Sequence, residues 1–269
     1  MRADGFGLAR QSAIMLDMTD TPKHKLRWFQ FSLRSLLLFV LLVSVGMSWF
    51  AVKMQQAKRQ KEAVAAIERL GGEVFYDYQY RVLDVHTIFV TEAQPPGPEW
   101  LQRLLGNDFF STVTFVRFIR RKVNVNDAEL EHIINDLPQL RFLDLPGTEV
   151  TDAGLERLGK LSGLQSLILS DTQITDAGLQ HLSQMPQLKD LCLGGTKVTD
   201  AGLGSLRVLT RLDSLDLDRT QVTDAGIDQL KGLVQLDTLN LAKTKVTDAG
   251  VKKLEQALPN CHIVRQLGH

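Results

Sequence analysis

The feature that most constrains this chain is a self-similarity at a fixed step of 24 residues, which starts at Leu140 and runs without a gap through five copies. Leu140, Leu164, Leu188, Leu212 and Leu236 open the copies. A leucine follows three residues later (Leu143, Leu167, Leu191, Leu215, Leu239) and another five later (Leu145, Leu169, Leu193, Leu217, Leu241). Each copy then carries a threonine (Thr148, Thr172, Thr196, Thr220, Thr244), a β-branched residue two positions on, and the string Thr-Asp-Ala-Gly. Side chains alternate along an extended chain, so Leu-x-Leu places two leucines on one side of a short strand and the intervening residues on the other. After the string, apolar residues recur every three positions, as in Leu155, Leu158, Leu161 and in Leu179, Leu182, Met185, which makes a stripe along a short helix. Asp152, Asp176, Asp200, Asp224 and Asp248 fall at the start of that helix. There a carboxylate accepts amide hydrogens and opposes the helix dipole, with the preceding threonine as an alternative cap.

One strand-turn-helix unit cannot bury its leucines alone, so neighbours must stack, with parallel strands on one side and helices on the other. The expected fold is an α/β solenoid with a concave parallel sheet and convex helices. Upstream, Val116, Ile119, Asp127 to Leu130, Ile133, Leu137 and Leu140 read as a degenerate first copy with a one-residue insertion. Downstream, Cys261 and Val264 take the first two leucine positions of an incomplete last strand. The pattern LxxLxLxxTxVTDAGLxxLxxLxx resembles the leucine-rich repeat family, in its ribonuclease-inhibitor-like and cysteine-containing-like subclasses, over about 116–264. It departs in carrying Thr148, Thr172, Thr196, Thr220 and Thr244 where that family usually has Asn or Cys. Their hydroxyls are expected to bond backbone in adjacent turns. The resemblance implies a protein-binding scaffold without catalysis. With the apolar run described next, the whole chain is similar to bacterial membrane-anchored proteins of the family.

Residues 35–52, SLLLFVLLVSVGMSWFAV, form an eighteen-residue run without a charge between Arg34 and Lys53. As a helix it covers about 27 Å, close to the hydrocarbon thickness of a bilayer. Trp28, Phe29, Trp49 and Phe50 fall where aromatic rings meet headgroups. The bulky Ser48 to Val52 end fits a signal-peptidase site poorly, which favours an uncleaved single-pass anchor. Lys23, Lys25, Arg27 and Arg34 on one side are matched by Lys53, Lys58, Arg59 and Lys61 on the other, so charge does not orient it. A short tail ahead of a long domain favours an extracytoplasmic repeat domain. Residues 1–34 are read as a tail without pattern, in which Met15 and Met18 leave the position of the start open.

After the anchor, 53–70 reads as a juxtamembrane helix with Ala63, Ala66, Ile67 and Leu70 on one face, stopped by Gly71-Gly72. The segments EVFYDYQY and RVLDVHTIFV suggest two strands, Glu99 to Leu105 a helix, and Thr112 to Ile119 another strand. This mixed segment, 71–115, is expected to cap the open end of a stack that occupies 116–269, its regular copies at 140–259. Arg117, Arg120, Arg121 and Lys122 form a basic cluster, read as a solvated loop ahead of a phosphate or lipid contact.

Specificity must then sit on the outward strand positions. The candidates for partner binding are Phe142, Asp144, Ser166, Ile168, Asp190, Cys192, Ser214, Asp216, Asp218, Thr238 and Asn240, a mildly acidic surface with an apolar end. It suits a polypeptide with basic residues, and the bland alternative is an ordinary solvated sheet face. Thirty-one basic residues balance thirty-one acidic ones, and 17 basic against 15 acidic residues in 1–139 leave only a small asymmetry, so a nucleic-acid field is absent. Cys192 and Cys261 lie three strands, roughly 14 Å, apart and are expected to stay thiols. His24, His86, His132, His181, His262 and His269 are scattered, and no zinc, phosphate-loop or nucleophile-elbow motif is present, so no catalytic residue, cofactor or metal is assigned. Besides a protein-interaction module, two roles stay open: a structural spacer of envelope assemblies and, because F-box proteins carry similar repeats, a ubiquitin-ligase substrate receptor. No F-box-like segment is read ahead of the repeats, and the apolar run argues against the last.

Overall fold

The computed structural model describes residues 33–83, 86–89, 93–118 and 125–265, with backbone alone at 80–83 and 86–89. Trp28, Phe29, Ile119, Arg120, Arg121, Lys122 and the first 32 residues therefore lie outside the described residues. The chain forms two units, Met1–Ser48 and Trp49–His269. Among the described residues of the first, every one is helical and exposed. They open a single unbroken helix α1, Leu33–Arg69, whose most apolar stretch has no buried residue and which is long and apolar enough to cross a membrane. No break follows the apolar run.

The second unit is a stack on one sheet. Strands β1 (Glu73–Tyr76), β4 (Val113–Arg117), β5 (Phe142–Asp144), β6 (Ser166–Ile168), β7 (Asp190–Cys192), β8 (Ser214–Asp216), β9 (Thr238–Asn240) and β10 (His262–Val264) lie in that spatial order, and β2 (Tyr80–Leu83) pairs with β3 (His86–Phe89) in a separate hairpin. From β4 onward all neighbours are parallel, with Leu143, Leu167, Leu191, Leu215 and Leu239 in register. Strand β1 adds to the edge antiparallel, so the sheet is mixed at its amino end. The leucine positions form one continuous core from Ala63 to Leu258. Each fully buried leucine contributes about 2 kcal/mol by removal from water.

Helices α2 (Glu99–Leu105) and α3 (Asn107–Phe110) precede β4. On the far side of the sheet run α4 (Asp127–Asp136), α5 (Asp152–Leu158), α6 (Asp176–Leu179), α7 (Asp200–Leu203), α8 (Asp224–Ile227) and α9 (Asp248–Ala257). In the middle copies a single α-turn passes into a 3-10 turn, which explains the three-residue spacing of apolar positions such as Leu179, Leu182 and Met185. The first and last helices are α throughout. Ile133 to Leu137 and Leu254 to Leu258 consequently step by four, with the amide of the later residue bonded to the carbonyl of the earlier. This wider turn is the physical content of the one-residue insertion in the first copy.

Two assignments at the ends need correction. Val116 pairs with Leu143 and so fills the position expected of Ile119, and Phe118, fully buried, takes the next inward position, donating its amide to the Asp144 carbonyl as Leu145 does to Ile168. At the other end Ile263, not Val264, pairs with Leu239, while Val264 faces outward beside Asn240. The wider α9 turn pushes Leu258 and Cys261 along by one residue, and the chain between Cys261 and Ile263 is one residue shorter, which restores the strand register.

The amino end of the core is covered by α1 itself: Ala57, Ala63 and Ile67 are buried, and Ile67 and Phe118 lie so close to Gly72 that a Cβ there would overlap both. Gln60 is buried with them. Its Nε2 donates to Asp108 Oδ1 (3.0 Å) and the Ser111 carbonyl (2.9 Å), and its Oε1 accepts from the Val113 amide (3.1 Å).

Candidate functional site

The string Thr-Asp-Ala-Gly builds the edge of the stack. Thr151, Thr175, Thr199 and Thr223 cap their own helices by accepting from the amide two residues on, and Thr247 does so from Gly250. Each also reaches back one copy. The amide and hydroxyl of Thr151 donate to the two carboxylate oxygens of Asp127 (2.9 and 2.6 Å). Thr175 does the same to Asp152, Thr199 to Asp176, Thr223 to Asp200 and Thr247 to Asp224, the hydroxyl bond being 2.6 Å each time. The glycine completes the logic: a Cβ on Gly154, Gly178, Gly202, Gly226 or Gly250 would overlap the aspartate of the preceding copy. The aspartates thus join copies as well as facing helix dipoles. The threonines at 148, 172, 196, 220 and 244 donate to the carbonyl three residues earlier, within their own turn rather than an adjacent one, at 2.6–2.8 Å.

The outward sheet positions form two rows. In one, Phe142, Ser166, Asp190, Ser214 and Thr238 are successive partners; in the other, Asp144, Ile168, Cys192, Asp216 and Asn240. Both rows continue past β5. Across β1, β4 and β5 the Phe75 ring stacks on Phe115 and Phe115 meets Phe142 edge to face, with ring centroids 5.2 and 5.8 Å apart. Glu73, Arg117 and Asp144 extend the second row. Arg117 therefore does not belong to a loop: it sits on β4, paired with Glu73 at 2.8 Å and over the Phe75 ring. The expected apolar end is partly closed, because Phe142 is 6% exposed and Ser166 9%. The alternation in VTFVR, read against the register of the first copy, signals Phe115 and Arg117 as members of this face.

Burial pushes the Asp144 carboxyl up to about 6, against the opposing pull of Arg117. Further along, Cys192 Sγ lies 2.9 Å from Ser170 Oγ and donates to Asp216 Oδ2 at 3.3 Å. Burial raises this thiol to about 11, which suppresses the thiolate a nucleophile needs. Cys261 is raised to about 11 as well, by burial and by Asp237, and both cysteines are free thiols. Asp216 Oδ1 accepts the Asp218 amide (2.8 Å), and Asn240 accepts the Ala242 amide (3.0 Å) in the equivalent way. Asp218 is held by Arg219 at 2.7 Å, and Arg219 spans two copies to Asp171 at 2.9 Å. Asp216 is therefore engaged in shaping its own turn, and Asp218 is held in an ion pair. Among the described residues, no three or more His, Cys, Asp or Glu side chains are grouped to hold a metal ion.

A core of stacked leucines under parallel strands, joined copy to copy by Thr-Asp bonds, defines a repeat solenoid. Residues 112–269 match the family described as a leucine-rich repeat region, and the chain belongs to that family. Its fold is one used as a protein-interaction scaffold. No curated protein matches the chain. Among solved structures, a leucine-rich-repeat protein of Leptospira interrogans is similar, with 23% identity and a TM-score of 0.42 over 50% of this chain and 33% of the other. Two Listeria monocytogenes internalins are similar too. Internalin F has 20% identity and a TM-score of 0.37 over 52% of this chain and 44% of its own; internalin C2 has 18% and 0.41 over 59% and 82%. The chain thus spans a third to under half of the length of the first two.

Proposed function

We propose that this protein is a membrane-anchored interaction module, held in a bilayer by 35–52 and presenting the open sheet face to a polypeptide partner outside the cytoplasm, without catalysis. The observation that carries the reading is the contrast between positions within a copy. Core leucines and Thr-Asp-Ala-Gly are the same in every regular copy, whereas the outward rows read Phe-Asp, Ser-Ile, Asp-Cys, Ser-Asp and Thr-Asn. Nothing in the stacking demands that variety, and recognition does. The face offered comprises Asp144, Ile168, Asp190, Ser214, Asp216, Asp218, Thr238 and Asn240, with Phe142, Ser166 and Cys192 supporting it from partly covered positions.

Photo-crosslinking from the full chain in its own membrane tests this. Probes at Ser214 and Thr238 should yield one discrete protein adduct, and a probe at Glu156 on the helix side should not. Equal labelling from both sides would reject the face. Removal of one internal copy, 164–187, separates recognition from a spacer role: a spacer keeps working, whereas a face read across several strands loses its adduct. Protease access to the repeats in spheroplasts, set against lysed cells, tests the side.

A further inference from the structure

No residue of α2 or α3 is fully buried, and while Leu101, Leu105, Phe109 and Phe110 are half-buried, Trp100 and Leu104, one turn apart on the same face, are 67% and 71% exposed. They are nevertheless firmly placed. Gln60 and the Tyr76 hydroxyl both bond Asp108 at 3.0 Å, and the Gly106 amide closes α2 onto the Gln102 carbonyl. Trp49 and Phe50 lie near the end of the apolar run, and Phe109 packs against both, with ring centroids 6.4 and 5.4 Å apart; Phe110 meets Phe109 edge to face in turn at 5.0 Å. Leu104 and Arg103 share a cleft with Met54, Lys58 and Lys61 of α1. At 1.5 Å per residue, that stretch of α1 lies about 3 to 14 Å beyond Val52, a band that begins in the headgroup layer when 35–52 fills the hydrocarbon.

We propose that the α2–α3 segment is a second membrane contact, which docks on the leaflet from which α1 emerges: Trp100 and Leu104 enter the interface beside Phe109 and Phe110, and Lys53, Lys58, Lys61 and Arg103 meet anionic headgroups. It rests on the anchor reading. Whatever touches Trp49 and Phe50 shares their depth, so once the run is in the bilayer the segment is brought to its surface. An exposed tryptophan and leucine are costly in water and favourable in the interfacial zone, and the neighbouring cations complement an anionic leaflet. The repeat stack, fixed to the same segment through Gln60, would be held at a set distance from the membrane instead of swinging on a single helix.

The test uses the full chain in vesicles of phosphatidylglycerol and phosphatidylcholine that carry brominated acyl chains. Two single-tryptophan forms are compared: W28F/W49F, which keeps Trp100, and W28F/W100F, which keeps Trp49. Docking predicts that Trp100 loses most of its emission to brominated lipid, emits further to the blue than in detergent, and loses this contact when phosphatidylglycerol is omitted and salt is raised. Trp100 quenched by aqueous acrylamide but not by lipid, while Trp49 is quenched by lipid, would overturn the docking and leave the anchor standing. Trp100 shielded from both quenchers would assign the surface to a protein or a second copy and also overturn it. Failure of Trp49 itself to respond to brominated lipid would remove the anchor and the docking together.

Discussion

The aspartates of the stack edge and those of the open face are chemically identical, yet they differ in what surrounds them. Asp127, Asp152, Asp176, Asp200 and Asp224 each accept two bonds from a threonine of the next copy, in a geometry that barely changes along the stack. Asp144, Asp216 and Asp218 have no such common partner: one lies beside Arg117, one caps a turn and receives a thiol, and one pairs with Arg219. Uniformity marks the residues that the solenoid needs in order to exist. Variation marks those that the stack leaves free to differ, the ones the proposed function assigns to recognition. The glycines of the string belong with the first group, and for a steric reason, since their backbone does not occupy the left-handed region at these positions.

The sharpest way to break this contrast is at Gly226. In Gly226→Ala the new methyl displaces the Asp200 carboxylate and with it both Thr223 bonds, and the expected loss is roughly 2–4 kcal/mol, read as a lowered urea midpoint. In an Asp200→Ala background the same substitution should cost less, because the carboxylate it strikes is gone and only the backbone Cα of residue 200, 3.1 Å away, still has to give. Equal costs in both backgrounds would show that glycine is needed there for some other reason. Asp200→Ala alone should cost about 1.5–3 kcal/mol, and Thr223→Val on top of it only about 1 kcal/mol more, the share of the helix cap that the hydroxyl also supplies, since the two groups are halves of one interaction across the copies.

The repeat period, the strands, the helix starts and the core were legible because they follow from which positions recur. The reason for the Thr-Asp-Ala-Gly string was only half legible. Asp152 reads locally as a helix-start acid; its bond to Thr175 needs the stacking offset of neighbouring copies, a tertiary quantity that periodicity does not contain. The ends were read less well. There the spacing itself changes, from a 3-10 step to an α step, and a one-residue change moves Val264 from the inner to the outer side. The face was legible over the regular strands and blind at its amino end, because β1 joins from a segment without the repeat and brings Phe75 and Glu73 alongside Phe115 and Arg117.

Asp144 of the face and Asp224 of the edge should also respond oppositely to pH. Asp144 has its folded value raised from 3.8 to about 6, mainly by burial. Its folded state therefore prefers the neutral acid, and stability is lost as pH rises through that range. Relative to Asp144→Asn, the parent chain should lose about 1–2 kcal/mol between pH 4 and pH 7. Asp224 is shifted down, chiefly by its two Thr247 bonds, so its contribution is present above the ordinary carboxylate value and disappears as pH falls below it. Thermal melts of D144N and D224N from pH 3 to 8 should diverge from the parent at opposite ends. Divergence at the same end would show that burial of Asp144 and the Thr247 bonds of Asp224 do not set these two carboxylates apart.

The smallest effect lies in the turn that links the two regions. The residue after each strand turn has positive φ in every regular copy: Gly147, Asp171, Gly195, Arg219 and Lys243. Only glycine takes that conformation without a steric penalty, so the three non-glycine copies carry strain of about 1 kcal/mol each. Gly195 cannot exchange roles with its neighbours, because a side chain there would strike Asp171, the carboxylate that Arg219 reaches across the copy between them. Lys243→Gly should raise stability by about 0.5–1 kcal/mol. Arg219→Gly gains the same relief but gives up the Asp171 and Asp218 pairs, so its net change should be near zero. A gain at position 219 as large as that at 243 would mean that the arginine bridge adds nothing to the stack. Arg219 would then belong with the face, placed for a partner and tolerated by the fold.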